Sequence, residues 1–212
     1  MSIEKKLDDI LNTKSKVKII RLFASRREDF MASGRAIAKL VNLTPPAVHA
    51  TLKGLYGQDI LKRDIIGRQH IYSMNYRSRL VKDILQPAFK KERSIKDDIA
   101  DFLLKKIKAY KLRGIISLML YGSITKGETH EKSDCDIAVV VRSAASKKLI
   151  EDILIEKISA EFYEYFGISL DAYIKTEKEF LGRLKRKLSP VSTLMKSYTV
   201  IYGKDPIGLK YK

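Results

Sequence analysis

The stretch Ile115–Val141 reads IISLMLYGSITKGETHEKSDCDIAVVV. Ile115–Tyr121 is a nearly continuous apolar run of strand length, the pattern of a strand covered on both faces. It ends at Gly122-Ser123, and Ile124-Thr125-Lys126-Gly127 follows as a short turn or helix start. A second strand opens at Ser133-Asp134-Cys135-Asp136 and runs into Ile137-Ala138-Val139-Val140-Val141. Side chains alternate along a strand, so Asp134 and Asp136 face the same way. Two carboxylates so spaced at a strand start form a hard oxygen site suited to Mg²⁺. Cys135 then faces the other way, as a small buried hydrophobe rather than a nucleophile. As the sole cysteine it makes no intrachain disulfide and no cysteine zinc site, and His49, His70 and His130 lack ligand spacing.

Toward the C-terminus, residues 144–166 read as an amphipathic helix with a stripe of Leu149, Ile150, Ile153, Leu154, Ile158 and Phe162. Gly167 suits the position just past its end. A third strand is expected over Ile168–Ile174, carrying Asp171 between apolar neighbours. A carboxylate there is costly unless it meets a cation or a donor. If this strand lies beside the second, Asp171 completes a three-carboxylate cluster. Beyond it, a helix is expected around Glu177–Leu188, another after Pro190, and a last strand over Thr199–Tyr202. Lys185, Arg186, Lys187 and Lys196 suit acceptor or nucleotide phosphates, and equally a solvated basic face.

The order GS-x10-D-x-D, then a helix, then a strand with a third Asp, resembles the nucleotidyltransferase superfamily of DNA polymerase beta, and within it the minimal nucleotidyltransferases with their GSxARGxxxxxSDxDL pattern. Here the segment is GSITKGETHEKSDCDI. It departs at Thr125, where Ala is common, and at Lys126, where Arg is common; Lys still offers a phosphate its charge. The resemblance implies Gly122, Ser123, Lys126 and Ser133 as nucleotide-binding residues. It implies Asp134, Asp136 and Asp171 as catalytic residues holding two Mg²⁺ ions, with an NTP as substrate. Related minimal domains resemble antitoxins that modify a partner protein, which implies a protein acceptor or toxin partner; a small molecule or an RNA end is an alternative acceptor.

Upstream, residues 77–110 read as helical, with a break or kink at Pro87 and an apolar stripe of Ile95, Ile99, Phe102, Leu103 and Ile107. That stripe suits packing on the next domain or pairing with a second copy of the chain. Before it stands SGRAIAKLVNLTPPAVHATLKGLYGQ, residues 33–58. Ser33 can cap a short helix holding Ile37, Leu40 and Val41, and Asn42-Leu43 makes a tight turn. Thr44 is a good N-cap and Pro45 suits the first helical position of a second helix that buries Val48, Leu52 and Leu55. Two helices so joined are a helix-turn-helix. A hairpin follows, Ile60–Ile66 and Gln69–Met74 around Gly67-Arg68. Residues 3–30 read as helices, with Asn12–Ser15 as a turn and cap between them.

This order resembles the winged-helix transcription regulators of prokaryotes, over roughly residues 14–76. The resemblance implies duplex DNA as a partner, met by Thr44, Pro46, Ala47, His49 and Lys53 on the second helix and by Arg63 and Arg68 on the wing. Small residues on the helix face let a backbone approach a groove floor. Residues 44–82 carry seven Lys and Arg against Asp59 and Asp64, a net +5.

The whole chain carries a net charge of +17 and a pI near 9.8. That excess fits a polyanionic partner, and fits equally the Lys-rich surface of a protein built for high temperature. No apolar signal core opens the chain and no run approaches membrane-span length, so an intracellular, cytoplasmic protein with no membrane partner is expected. The expected fold is α+β: a winged helix-turn-helix over 1–76, a helical connector over 77–111, and a nucleotidyltransferase fold with a mixed sheet and flanking helices over 112–212. The competing functional readings are a Mg²⁺-dependent transferase and a transcription regulator whose transferase fold only senses nucleotide.

Overall fold

The computed structural model describes residues 6–126 and 134–209. They fall into two compact units, Met1–Ile95 and Lys96–Lys212, so the division lies inside the helical segment expected to connect two domains.

The N-terminal unit opens with α1 (Lys6–Leu11) and α2 (Lys14–Ala24), the latter capped by the Thr13 hydroxyl, which accepts from the Lys16 amide. A three-residue strand, β1 (Met31–Ser33), leads into α3 (Gly34–Val41). Ser33 caps α3 by accepting from the Ala36 amide, and Asn42 closes it in the left-handed conformation, which Asn tolerates better than most residues. Next come α4 (Pro45–Gly57) and the hairpin β2 (Leu61–Ile66) and β3 (Gln69–Met74), turning through Gly67 at φ +60°. The strands pair in the order β1-β3-β2, all antiparallel. Helix, short strand, helix-turn-helix and hairpin make this unit a winged helix. Strand β1 was not legible in the sequence, because three residues carry no periodicity; its pairing with β3 defines it.

Phe23, Ile37, Val48, Leu52, Leu55 and Ile60 build the core, with Val81 and Leu85 added from the following helix. That helix starts as a wide-wound turn, Val81–Leu85, and continues as α5 (Gln86–Arg93). Pro87 has no N–H to return to the preceding turn, which accounts for the loosened winding just upstream of it. The segment expected to be helical over 77–110, with a break or kink at Pro87, loosens just before Pro87 and breaks at Ser94.

The C-terminal unit holds α6 (Ile95–Ala109), β4 (Ile115–Tyr121), the single turn α7 (Ser123–Lys126), β5 (Cys135–Val141), α8 (Ala144–Ile153), α9 (Ser159–Phe166) and β6 (Leu170–Thr176). A wide-wound turn, Leu154–Ile158, joins α8 to α9, and Gly167 ends α9 at φ +69°. After β6 come α10 (Glu177–Lys185), α11 (Val191–Leu194) and β7 (Tyr198–Gly203). Strand β6 begins two residues later than expected, because Ser169 is spent accepting from the Cys135 amide at the sheet entrance. Helix α10 ends before Leu188; Lys187 takes a left-handed backbone that stops it.

The four strands order as β6-β5-β4-β7, with β5 and β6 parallel and the other pairs antiparallel. The mixed sheet is covered on both faces. Leu118, Leu120, Cys135, Ile137 and Val139 pack toward Ile99, Ile150 and Phe162 of the long helices. Met119, Ala138 and Val140 pack toward Phe180, Val191 and Leu194. Two-sided burial explains why β4 and β5 read as unbroken apolar runs. Among the described residues, no helix is long and apolar enough to cross a membrane.

Candidate active site

Strand register assembles one row of polar side chains. Asp136 of β5 lies opposite Asp171 of β6 and opposite Tyr121 of β4, and Tyr121 lies opposite Tyr198 of β7. Cross-strand partners share a face, here the face of Tyr173, α10 and α11. Asp134 stands just before β5 and is exposed, as is Asp171; Asp136 is half-buried. Cys135 is fully buried on the opposite face, where burial and then the neighbouring Asp136 push its thiol up to about 12.

The turn after β4 is built around Gly122, at φ +80°. A Cβ on this residue would stand 2.0 Å from Asp136 Oδ2. Only glycine lets the turn pass so close over a carboxylate. The Thr125 hydroxyl donates to the Gly122 carbonyl at 2.8 Å, and Lys96 Nζ donates to the Thr125 carbonyl at 2.9 Å. Thr125, a departure from the commoner Ala, thus ties down the turn. Ser123 opens α7 immediately after that turn. The Lys126 side chain, Gly127 and Ser133 lie outside the described residues.

The carboxylates feel one another. Burial raises the Asp136 pKa, and Asp171 and then Asp134 raise it further. Tyr121 is pushed up to about 12, first by burial, then by Asp136, Asp171 and Tyr173. Among the described residues no three acidic, His or Cys side chains are already gathered at metal-ligand spacing. The donor chemistry nonetheless fits Mg²⁺: hard oxygens, two of them on register partners, with one carboxylate raised in pKa by burial and by its acidic neighbours. An ion would have to draw Asp134 and Asp171 inward, which their exposure leaves them free to do. Tyr121 and Tyr173 were not singled out in the sequence. Alternation from Asp171 already places Tyr173 on the same face; Tyr121 needed the antiparallel register.

In the winged helix, Thr44, Pro46, His49, Lys53, Arg63 and Arg68 are all exposed, and Ala47 is half-buried. Thr44 takes the extended N-cap backbone but makes no side-chain cap bond. The Arg63 guanidinium sits 4.5 Å from the Tyr56 ring centroid. A cleft of about 430 Å³ separates α4 from the wing; Arg35, His49, Arg68 and His70 are among the residues lining it.

Residues 103–206 match the family model described as Polymerase beta, Nucleotidyltransferase. They are a nucleotidyltransferase domain. The match takes in every strand of the second sheet and the whole Asp136–Asp171 row. A curated protein of Methanocaldococcus jannaschii, "Putative protein adenylyltransferase MJ1305", is 24% identical over 115 residues, covering 54% of this chain and 77% of that protein. Among solved structures, a homodimeric winged helix-turn-helix DNA-binding domain from Mycobacterium bovis aligns at 15% identity and a TM-score of 0.34, over 44% of this chain and 89% of its own. A toxin-antitoxin structure with AMP-PNP aligns at 12% identity and a TM-score of 0.34, over 53% and 81%.

Proposed function

We propose that the nucleotidyltransferase domain moves a nucleoside monophosphate from an NTP, ATP first among them, to a hydroxyl on a partner protein, and that the winged helix binds duplex DNA. The register row of Asp136 and Asp171 under the Gly122 turn carries the transferase reading. Gly122 admits the triphosphate close to the backbone, and Ser123, with Ser133 and neighbouring N–H groups, holds phosphate oxygens. Asp134, Asp136 and Asp171 would hold the two Mg²⁺ ions, which would supply counter-charge to the phosphates and to the leaving group. Asp171 orients the acceptor hydroxyl and takes its proton. The acceptor oxygen bonds to the α-phosphorus as the bond to the β-phosphate oxygen breaks, and pyrophosphate leaves. Lys126 steadies that leaving charge. The similarity to a protein named as a protein adenylyltransferase supports a protein acceptor, and a toxin is the acceptor class that the antitoxin resemblance implies.

The exposed basic wing and the small-residue face of α4 support DNA binding, with Thr44, Pro46, Ala47, His49 and Lys53 toward a groove and Arg63 and Arg68 toward phosphates. The second reading, a regulator that only senses nucleotide, is favoured by the presence of this unit on the same chain. One assay separates the two: incubation of the chain with each labelled NTP, Mg²⁺ and cell extract. A labelled protein band supports transfer. No labelled product, with operator affinity altered by nucleotide, supports sensing.

A further inference from the structure

A second feature on the nucleotidyltransferase domain is a groove of about 790 Å³ along α10 and the end of β6. Its walls carry Lys175, Lys178, Arg183, Lys185 and Arg186. The one acid among its described lining residues, Glu179, is already engaged: it accepts from Lys147 Nζ at 3.3 Å and from the Thr176 amide at 2.8 Å. The groove therefore presents cations without a free local counter-charge. Lys178, Lys185 and Arg186 are exposed, whereas Arg183 is partly spent on the Ser189 carbonyl at 2.9 Å.

The groove and the carboxylate row share strand β6. Lys175 lies four residues beyond Asp171 on the same face of β6, a distance of about 13 Å at the usual strand rise. Tyr173 stands between them; its hydroxyl is buried without a hydrogen-bond partner, and the Lys175 ammonium lies 5.3 Å from its ring centroid.

We propose that this groove docks an acidic segment of the acceptor protein and so delivers its hydroxyl to Asp171; this rests on the transferase reading above. The lining decides between polyanions. A single-stranded nucleic acid track combines cations with aromatic rings on which bases stack. The described lining here contains no aromatic ring, and instead Leu181 and Leu188, the latter 44% exposed. Cations around the half-buried Leu181 and the exposed Leu188 fit a peptide that alternates carboxylates with apolar side chains.

The test uses the full chain and three fluorescein-labelled probes at low salt: a twelve-residue peptide of alternating Glu and Leu, its Lys-for-Glu counterpart, and a twelve-nucleotide single-stranded DNA. Anisotropy is read on wild type and on the triple variant K178E/K185E/R186E, with a milder K178Q/K185Q/R186Q variant should the first melt early. The acidic peptide binds wild type, and the reversal weakens it by about tenfold or more, as expected for complementary charge at a docking surface. The Lys peptide does not bind. Mg²⁺-dependent ATP binding, measured on wild type in the same samples, reports on the transferase reading separately. Equal peptide affinity in wild type and variants overturns the proposal. So does a DNA probe that loses more affinity than the peptide, which would make the groove a nucleic-acid track.

Discussion

The two units place their polar chemistry in opposite ways. In the winged helix, six of the seven residues expected at a DNA interface are exposed, projecting from α4 and the hairpin. In the nucleotidyltransferase domain, the central carboxylate is half-buried, raised in pKa by burial and by its neighbours, and overlaid by a glycine turn. Exposed cations act through a screened field and can be lost one at a time. A row set by strand register acts as a unit, since each member is placed by the pairing that places the others. Substitutions should therefore be graded in the first unit and close to all-or-none in the second.

The largest expected effect is on transfer. Asp134→Asn and Asp136→Asn each lower labelled-nucleotide transfer by about a hundredfold or more, with the melting temperature kept. Retained transfer in either variant would put the chemistry elsewhere. Asp136→Asn should also raise the melting temperature in EDTA at neutral pH, by an amount on the order of a few degrees. The sign follows from the raised folded pKa. Protonated Asp136 is tolerated, and ionisation above that pKa costs the metal-free fold stability. The gain over wild type should vanish as pH falls below the ordinary carboxylate range and grow as pH rises through the raised pKa. A gain that is flat with pH would mean that the carboxylates do not repel one another.

Two glycines sharpen the same contrast. Gly67 at the wing tip and Gly122 both have positive φ, but a Cβ at Gly67 would meet nothing within 4 Å, whereas at Gly122 it would collide with Asp136. Gly67→Ala should cost only the backbone strain, about 1–2 kcal/mol. Gly122→Ala should cost more and abolish transfer. Equal melting losses in the two variants would remove the close-approach argument.

The smallest effect is expected at the wing. Arg68→Ala should weaken duplex DNA binding by a few-fold, about 1 kcal/mol or less, with sequence preference unchanged. Wild-type affinity should fall steeply between about 50 and 200 mM salt. Salt-insensitive binding, or none at low salt, would recast the winged helix as a protein-docking module.

Much of this was legible in the sequence because the decisive elements declare themselves locally. Ser33, Asn42, Thr44 and Pro45 bracket two helices by their own conformational preferences, and the apolar runs flanking Gly122-Ser123 and Asp134–Asp136 announce covered strands. What was not legible depends on pairing between distant segments. The three-residue β1 exists through β3. The start of β6 depends on which residue meets Cys135. The place of Tyr121 beside Asp136 follows from an antiparallel register that no local pattern encodes. Asp171 was legible only as a carboxylate out of place in an apolar strand, and the parallel pairing of β5 with β6 gave it its neighbour.

The central claim is that the Asp136–Asp171 row works through a divalent ion on a nucleotide's phosphates. Calorimetric titration of ATP into the full chain tests it directly, with Mg²⁺, with EDTA, and with Mg²⁺ on Asp136→Asn. The account predicts binding with Mg²⁺ that weakens about tenfold or more in EDTA and likewise in the variant. Equal ATP affinity under all three conditions would contradict it.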